Sequence, residues 1–122
     1  MKYNIVATWP KTRELKSYLT ELERAERDNL DINFRVANLP KWPGRNPLPL
    51  PRCYMVHDGY VRGYNEIVAT RYSHGNDISY VKDDSWAGFW PAGYYIVRNP
   101  KWYPTLPAKM KGFQGWRWYE GI

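Results

Sequence analysis

The sequence predicts an α+β fold: a small, mostly antiparallel β-barrel with one main N-terminal helix packed on it. Two observations predict this class. A single amphipathic helix pattern lies near the N-terminus, and several β-prone segments follow it, joined by long loops rich in aromatic residues and proline. The chain has 122 residues, enough for one domain with its own core and too few for two ordinary ones. We therefore expect residues 1–122 to form a single domain.

The start of the chain predicts a strand and then a helix. Residues 3–8 are a short apolar, β-prone run, and the proline that follows Trp9 keeps that residue out of helical geometry. Beyond this turn, apolar residues recur at steps of three and four, which is typical of an amphipathic helix. We expect a helix over residues 12–29, with Thr12 as its N-cap and its end at Asn29.

The rest of the chain predicts strands separated by loops. The strands are residues 32–36, a hairpin within residues 52–72, residues 93–98 and a last strand that contains Trp116 and Trp118. The loops are the proline-rich run NLPKWPGRNPLPLPR, residues 73–85 with the WAGFWPAG run after them, and residues 100–111. Proline disfavours the interior of a sheet because it donates no backbone hydrogen bond.

The segment RCYMVHDGYVRGYNEIVATRY, residues 52–72, predicts a hairpin with a type I′ turn at Asp58-Gly59. Alternation along this ribbon places His57, Arg62 and Glu66 on one face among tyrosines. We interpret that mixed row as the wet wall of a pocket; an ordinary solvent-facing surface is the alternative. A longer turn would slip the register and exchange parts of the two rows.

Composition favours an anionic partner. The formal net charge is +6 and the sequence contains seven tryptophans and eleven tyrosines. Basic residues attract polyanions, and aromatic rings with a polar edge prefer half-wet sites. Tryptophan is nevertheless more often a packing residue than a stacking platform, so we expect at least half of the seven to be structural.

The sequence also predicts where the protein works and what it lacks. The single cysteine, Cys53, cannot form an internal disulfide, and with two histidines it supplies too few soft ligands for structural zinc. The N-terminus lacks the apolar run of a signal peptide, and no stretch approaches the roughly 20 apolar residues of a membrane span. We expect a soluble cytoplasmic protein that needs no metal or cofactor and does not contact a membrane.

Several of these segments resemble the PUA-like superfamily, in particular its ASCH and EVE branches. YNIVATWPKTRELKSYL is similar to the EVE opening, where a strand leads through a turn with proline to the first helix, although the usual lysine, serine and glutamate before the proline are absent here. The central hairpin matches the family pattern at Val61, Gly63, Glu66 and Val68. The resemblance implies the barrel fold and binding of RNA or DNA, with one flipped or modified base held in an aromatic cage between the barrel and the first helix.

The same resemblance suggests an enzymatic alternative. The ASCH enzymes that hydrolyse modified cytidines rely on a lysine, a threonine and a glutamate, and Lys11, Thr12 and Glu66 are the nearest residues by type and order. His57, beside an aspartate, is a further candidate acid or base. The more common role of a histidine at a hairpin end is that of a polar residue beside the turn.

Binding is the function that we favour, in a basic and aromatic pocket. The candidate ligand-binding residues are Trp9, Lys11, Arg13, Arg35, Trp42, Arg45, His57, Arg62, Glu66, Trp86 and Trp90, with Lys109, Lys111 and Arg117 as further cations. Three functions stay open: a reader of nucleic acid or a modified base, a small hydrolase of a nucleoside or nucleotide, and a non-catalytic binder of a free signalling nucleotide. A long basic track outside the pocket would favour the first over the third.

Overall fold

The computed structural model describes residues 4–41, 50–75, 77–78, 89–90 and 92–120. Its elements are β1 (Ile5–Thr8), α1 (Leu15–Arg27), β2 (Ile32–Val36), β3 (Arg52–His57), β4 (Tyr60–Ser73), β5 (Asp77–Ile78), β6 (Phe89–Trp90), β7 (Gly93–Arg98), β8 (Tyr103–Lys109) and β9 (Trp116–Trp118). None of the helical structure in these ranges is long and apolar enough to cross a bilayer.

One large sheet carries the helix, which confirms the mixed helix-and-sheet class. Its seven strands run in the order β2-β7-β4-β3-β1-β9, with β8 paired to β4 as well. The β1–β3 pair is parallel and the other pairs are antiparallel. Among the described strands this sheet is open, because β2 and β9 lie at its two ends and do not pair with each other. The predicted closure into a barrel is therefore not found in this part of the chain.

The helix begins three residues later than predicted. The N–H of Arg13 donates to the carbonyl of Pro10 at 3.0 Å, so the residues before the helix form a turn of their own. Glu14, not Thr12, is the N-cap, with an extended backbone and no capping hydrogen bond from its side chain. This turn over residues 10–13 and the N-cap thus separate Trp9 from Leu15, the first helical residue.

The end of the helix near Asn29 is confirmed. Asn29 has a φ of 57°, the left-handed conformation that asparagine tolerates. Its N–H donates to the carbonyl of Glu26, and the N–H of Leu30 donates to the carbonyl of Ala25. These two bonds form a Schellman motif, which directs the chain back along the sheet into β2.

The hairpin turn is the predicted one. Asp58 and Gly59 both have positive φ, 50° and 83°, as a type I′ turn requires. His57 faces Tyr60 across the ladder.

A β-bulge changes the register just beyond the turn. Val56 pairs with Val61, but the next pair is Met55 with Gly63, so Arg62 is the extra residue. From Gly63 to Ile67, each β4 residue lies on the face opposite to the predicted one; a second irregularity between Ile67 and Ala69 then restores the predicted phase. The mixed row inferred from alternation is therefore divided between the two faces of the sheet.

The two faces carry different cores. The helix side contains Ile5, Ala7, Tyr18, Leu22, Ala25, Ile32, Val36, Cys53, Met55, Ile67 and Ile96. The opposite side contains Val6, Tyr54, Val56 and Val61, with Tyr64, Phe113 and Tyr119 among the residues packed on them. Cys53 and Met55 belong to the buried helix side and not to a wet wall.

The predicted loop over residues 100–111 contains the strand β8. β8 runs antiparallel to β4, from Tyr103 opposite Tyr64 to Lys109 opposite Tyr60. The prediction of a loop was wrong because it rested on the prolines of this segment. They are compatible with β8 because, among the described strands, it pairs with β4 alone and lies at an edge. Within the predicted second loop, β5 and β6 form a separate two-stranded ribbon.

The close approach of β8 to β4 gives a first prediction. A Cβ at Gly63 would lie 2.5 Å from the Tyr103 carbonyl oxygen and 2.5 Å from the Trp102 ring, so Gly63→Ala is expected to lower the free energy of unfolding by about 2 kcal/mol or more. In Gly59→Ala the new Cβ meets no atom within 4 Å, although φ is +83°, and the expected loss is about 1 kcal/mol. Urea denaturation measures both variants. Equal losses would contradict the packing of β8 on β4.

Candidate functional site

Three loops meet at one end of the sheet. The N–H of Trp9, at the end of β1, donates to the carbonyl of Val56 at 2.8 Å. The N–H of Met110, just after β8, donates to the carbonyl of Gly59 in the hairpin turn at 2.9 Å. The β1–α1 loop, the β3–β4 turn and the segment after β8 are thereby fixed beside one another.

Cations are concentrated on these three segments and at the start of β4. We call the set the basic end: Lys11, Arg13, Arg62, Lys109 and Lys111. In the part of the chain that the structure describes, no carboxylate lies within salt-bridge distance of any of the five. Glu14 and Asp58 are the acidic residues on the same segments, so cations outnumber acids there. The basic end therefore attracts anions.

Trp9 joins the basic end to the core. Its half-buried ring packs on the helix-side core, 5.0 Å from the Tyr18 ring. The indole N–H donates to the carbonyl of Glu14 at 3.1 Å, and the Arg13 guanidinium lies 5.3 Å from the ring centroid. Trp9 is thus a packing residue, and the part of its ring that remains accessible lies at the surface beside the Arg13 guanidinium.

His57 fixes the loop to the hairpin. Its Nε2 lies 2.7 Å from the carbonyl oxygen of Arg13, and because a carbonyl only accepts, Nε2 carries the proton. Arg62 donates from Nε to the His57 carbonyl at 3.1 Å and lies over the Tyr60 ring at 5.1 Å. The Tyr60 ring is 36% exposed. His57 therefore connects two pairs that each consist of a ring and an arginine, Trp9 with Arg13 and Tyr60 with Arg62. We call them the ring-and-arginine pairs.

A buried polar network lies beneath Trp9. The Tyr18 hydroxyl donates to Asn65 Oδ1 at 2.7 Å and accepts from Arg98 Nη1 at 2.7 Å. Asn65 donates from Nδ2 to the carbonyl of Lys101 at 2.8 Å. Burial raises the pKa of Tyr18 to about 12 and raises the pKa of the Cys53 thiol, so both groups are neutral at pH 7. The network ties α1 to the sheet.

Sequence reasoning missed this network. Arg98 is only 4% exposed, and its Nε has no hydrogen-bond partner among the described residues. The available signal was its place in the strand 93–98, two residues after Ile96, because alternation puts both on one face. A cation two residues from an apolar core position marks a buried polar network or a site.

The structure separates Glu66 from the other residues that were candidates for catalysis. Lys11 and Thr12 are exposed in the β1–α1 loop. Glu66 is the Cα partner of Arg52 and follows Asn65, which is bonded from the helix side. By alternation Glu66 lies on the opposite face, whereas the His57 ring bonds to the loop before the helix.

The other predicted ligand-binding residues are dispersed or lie outside the described residues. Arg35 lies on the end strand β2, where its Nη2 donates to the carbonyl of Ala92 at 2.5 Å. Trp90 is in β6, opposite Asp77. Trp42, Arg45 and Trp86 are outside the described residues. Of the predicted set, the structure brings Trp9, Lys11, Arg13, His57 and Arg62 together at the basic end.

Comparison with known proteins gives no match to a family model, a curated protein or a solved structure. The likeness to PUA-like domains therefore rests on the short sequence motifs alone. The function has to be argued from the site itself.

The buried tyrosine gives a second prediction. Below pH 10 the Tyr18 hydroxyl is protonated in the folded and unfolded chains. Between pH 10 and about 12 the unfolded chain releases this proton while the folded chain keeps it, so stability falls as pH rises. We expect this group to account for about 1 kcal/mol of lost stability by pH 11, and Tyr18→Phe to lack that part of the decline.

Urea titrations at about pH 9 and pH 11 measure this difference. At the lower pH, Tyr18→Phe is expected to be less stable than wild type by about 1–3 kcal/mol, because Asn65 and Arg98 lose a buried partner. Tyr72→Phe, at a side chain 49% exposed, is the matched loss of a hydroxyl. The same pH dependence in Tyr18→Phe and wild type would contradict the assignment.

Proposed function

We propose that this protein binds single-stranded nucleic acid through the basic end. The observation that carries the proposal is the meeting of three loops that bring five cations together with the partly exposed rings of Trp9 and Tyr60. Cations neutralise phosphates and release their counterions. Aromatic rings stack on bases, each stack contributing about 1–3 kcal/mol with little preference for the base.

The ring-and-arginine pairs suit an unpaired base. A guanidinium is planar and stacks on rings, and it also bonds phosphate oxygens in pairs. Arg13 over Trp9 and Arg62 over Tyr60 therefore offer stacking and charge at the same place. Bases in a duplex are already stacked on each other, so these pairs favour a single strand.

Binding is better supported than hydrolysis. A hydrolase needs a carboxylate within hydrogen-bond reach of a polar partner in one cleft. Glu66 lies on the face away from the His57 ring, and the described acids near the basic end, Glu14 and Asp58, are exposed. The His57 Nε2 is already bonded to a backbone carbonyl.

We also propose that the fold is PUA-like. The first strand, the turn with proline, the helix packed on the sheet and the central hairpin support this proposal. An experimental structure of the whole chain tests it, because it shows whether the sheet closes. An open sheet throughout would count against the barrel.

Charge removal gives the third prediction. In Arg13→Gln the affinity for a single-stranded oligonucleotide of about 12 nucleotides is expected to fall roughly 3- to 10-fold, and the slope of log affinity against log salt to become shallower by about 0.7, the value for one lost phosphate contact on a single strand. Fluorescence anisotropy over a salt series measures both quantities.

The matched control is Arg27→Gln. It removes the same charge from a side chain that is 72% exposed at the far end of α1, roughly 20 Å away by the helix rise. We expect Arg27→Gln to bind as wild type does. If no single-stranded DNA or RNA binds, or if binding is insensitive to salt, the proposal is wrong.

A further inference from the structure

The face opposite the helix carries a second group of cations, each lying over a ring. The pairs are Arg52 over Tyr64, Lys101 over Tyr103 and Arg117 over Phe113, with the cation 4.4, 5.2 and 4.2 Å from the ring centroid. We call these three cations the opposite-face cations. Tyr64 and Phe113 pack on the core of that face. Of the three cations, only Arg117 was selected from the sequence.

Two of the three pairs stack into one column, which consists of Arg52, Tyr64, Tyr103 and Lys101. Tyr64 and Tyr103 are Cα partners across the β4–β8 ladder, and their rings stack at 4.9 Å with an angle of 12° between the planes. Rings this close leave no room for a cation between them, so Arg52 and Lys101 cover the outer faces. The column therefore presents positive charge at both of its ends.

The opposite-face cations are available to a ligand. All three residues are exposed, and no described carboxylate lies within salt-bridge distance of any of them. Glu66 faces Arg52 across the ladder without forming an ion pair. The Tyr54 hydroxyl accepts a hydrogen bond from Arg52 at 3.1 Å, and this bond is the main cause of the raised pKa of the guanidinium.

The column is a neighbour of the basic end. The β4–β8 ladder starts at the pair Tyr60 and Lys109, in the basic end, and reaches the stacked tyrosines at Tyr64. Four residues of strand correspond to about 13 Å. Tyr60 pairs with His57 and Tyr64 pairs with Tyr54, so the two rings lie on opposite faces of the sheet. A single strand bound at the basic end would pass around the edge strand β8 to reach the opposite-face cations.

We propose that the opposite-face cations continue the binding surface, so that the ligand is a single-stranded polynucleotide of several nucleotides and not a free nucleotide. This inference rests on the proposed function. Its support is charge complementarity between a polyphosphate backbone and cations on both surfaces, and the β4–β8 ladder that connects the two surfaces at one edge of the sheet. A free nucleotide would use the basic end alone.

The test combines oligonucleotide length with charge removal. Lys101→Gln and Arg117→Gln are each expected to weaken binding of an oligonucleotide of about 12 nucleotides by roughly 3- to 10-fold and to make its salt slope shallower by about 0.7. Neither change is expected to alter binding of an oligonucleotide of about four nucleotides by more than roughly twofold. Arg27→Gln is again the matched control, and thermal melts confirm that each variant folds.

The outcomes separate the two proposals. Suppose that the longer oligonucleotide binds and depends on Arg13, but its salt slope is unchanged in both Lys101→Gln and Arg117→Gln. The extension of the binding surface over the opposite-face cations is then wrong, and binding at the basic end is still supported. If neither oligonucleotide binds, the proposed function itself is wrong. DNA and RNA of the same sequence are measured in parallel, and a preference for one identifies the polymer.

Discussion

The extra residue at Arg62 decides which side chains reach each face of the sheet. Because Val56 pairs with Val61 while Met55 pairs with Gly63, the strand beyond the bulge is rotated relative to simple alternation. Asn65 is thereby buried under the helix, where the Tyr18 hydroxyl reaches it. On the other face, the same shift aligns the tyrosine column with β8. Both the buried network and the position of the stacked tyrosines depend on this insertion.

The buried network shows how the helix is positioned. Burying a guanidinium costs several kcal/mol unless its surroundings compensate. Arg98 donates to the Tyr18 hydroxyl and lies 5.8 Å from the centroids of the Tyr18 and Phe34 rings, which returns part of that cost. The Tyr18 hydroxyl in turn needs Asn65 as its acceptor. A helix held only by apolar contacts could slide along the sheet, whereas these directional bonds fix its position beneath Trp9.

Local signals in the sequence were sufficient for part of the fold. The strands 32–36 and 93–98 and the turn Asp58-Gly59 were predictable because alternation and turn chemistry are properties of a few adjacent residues. The bulge at Arg62 was not, since it depends on how two strands meet. β8 was missed for a related reason: proline argues against a strand only where the partner needs its N–H.

The residue types of the candidate site were predictable from the sequence, but the positions of these residues relative to one another were not. Trp9, Arg13 and His57 were selected by residue type, and the structure brings them together because the β1–α1 loop bonds to the hairpin. Glu66 was assigned to the same wall, and the bulge places it on the other face. Of the opposite-face cations, Arg117 was selected by residue type, whereas Arg52 and Lys101 were missed because the stacked rings that they cover, Tyr64 and Tyr103, come from strands that are distant in sequence. Holding each long cation over a ring before a ligand arrives reduces the side-chain entropy that binding must still remove. Lys11, which has no such ring contact among the described residues, is expected to contribute charge but not this pre-ordering.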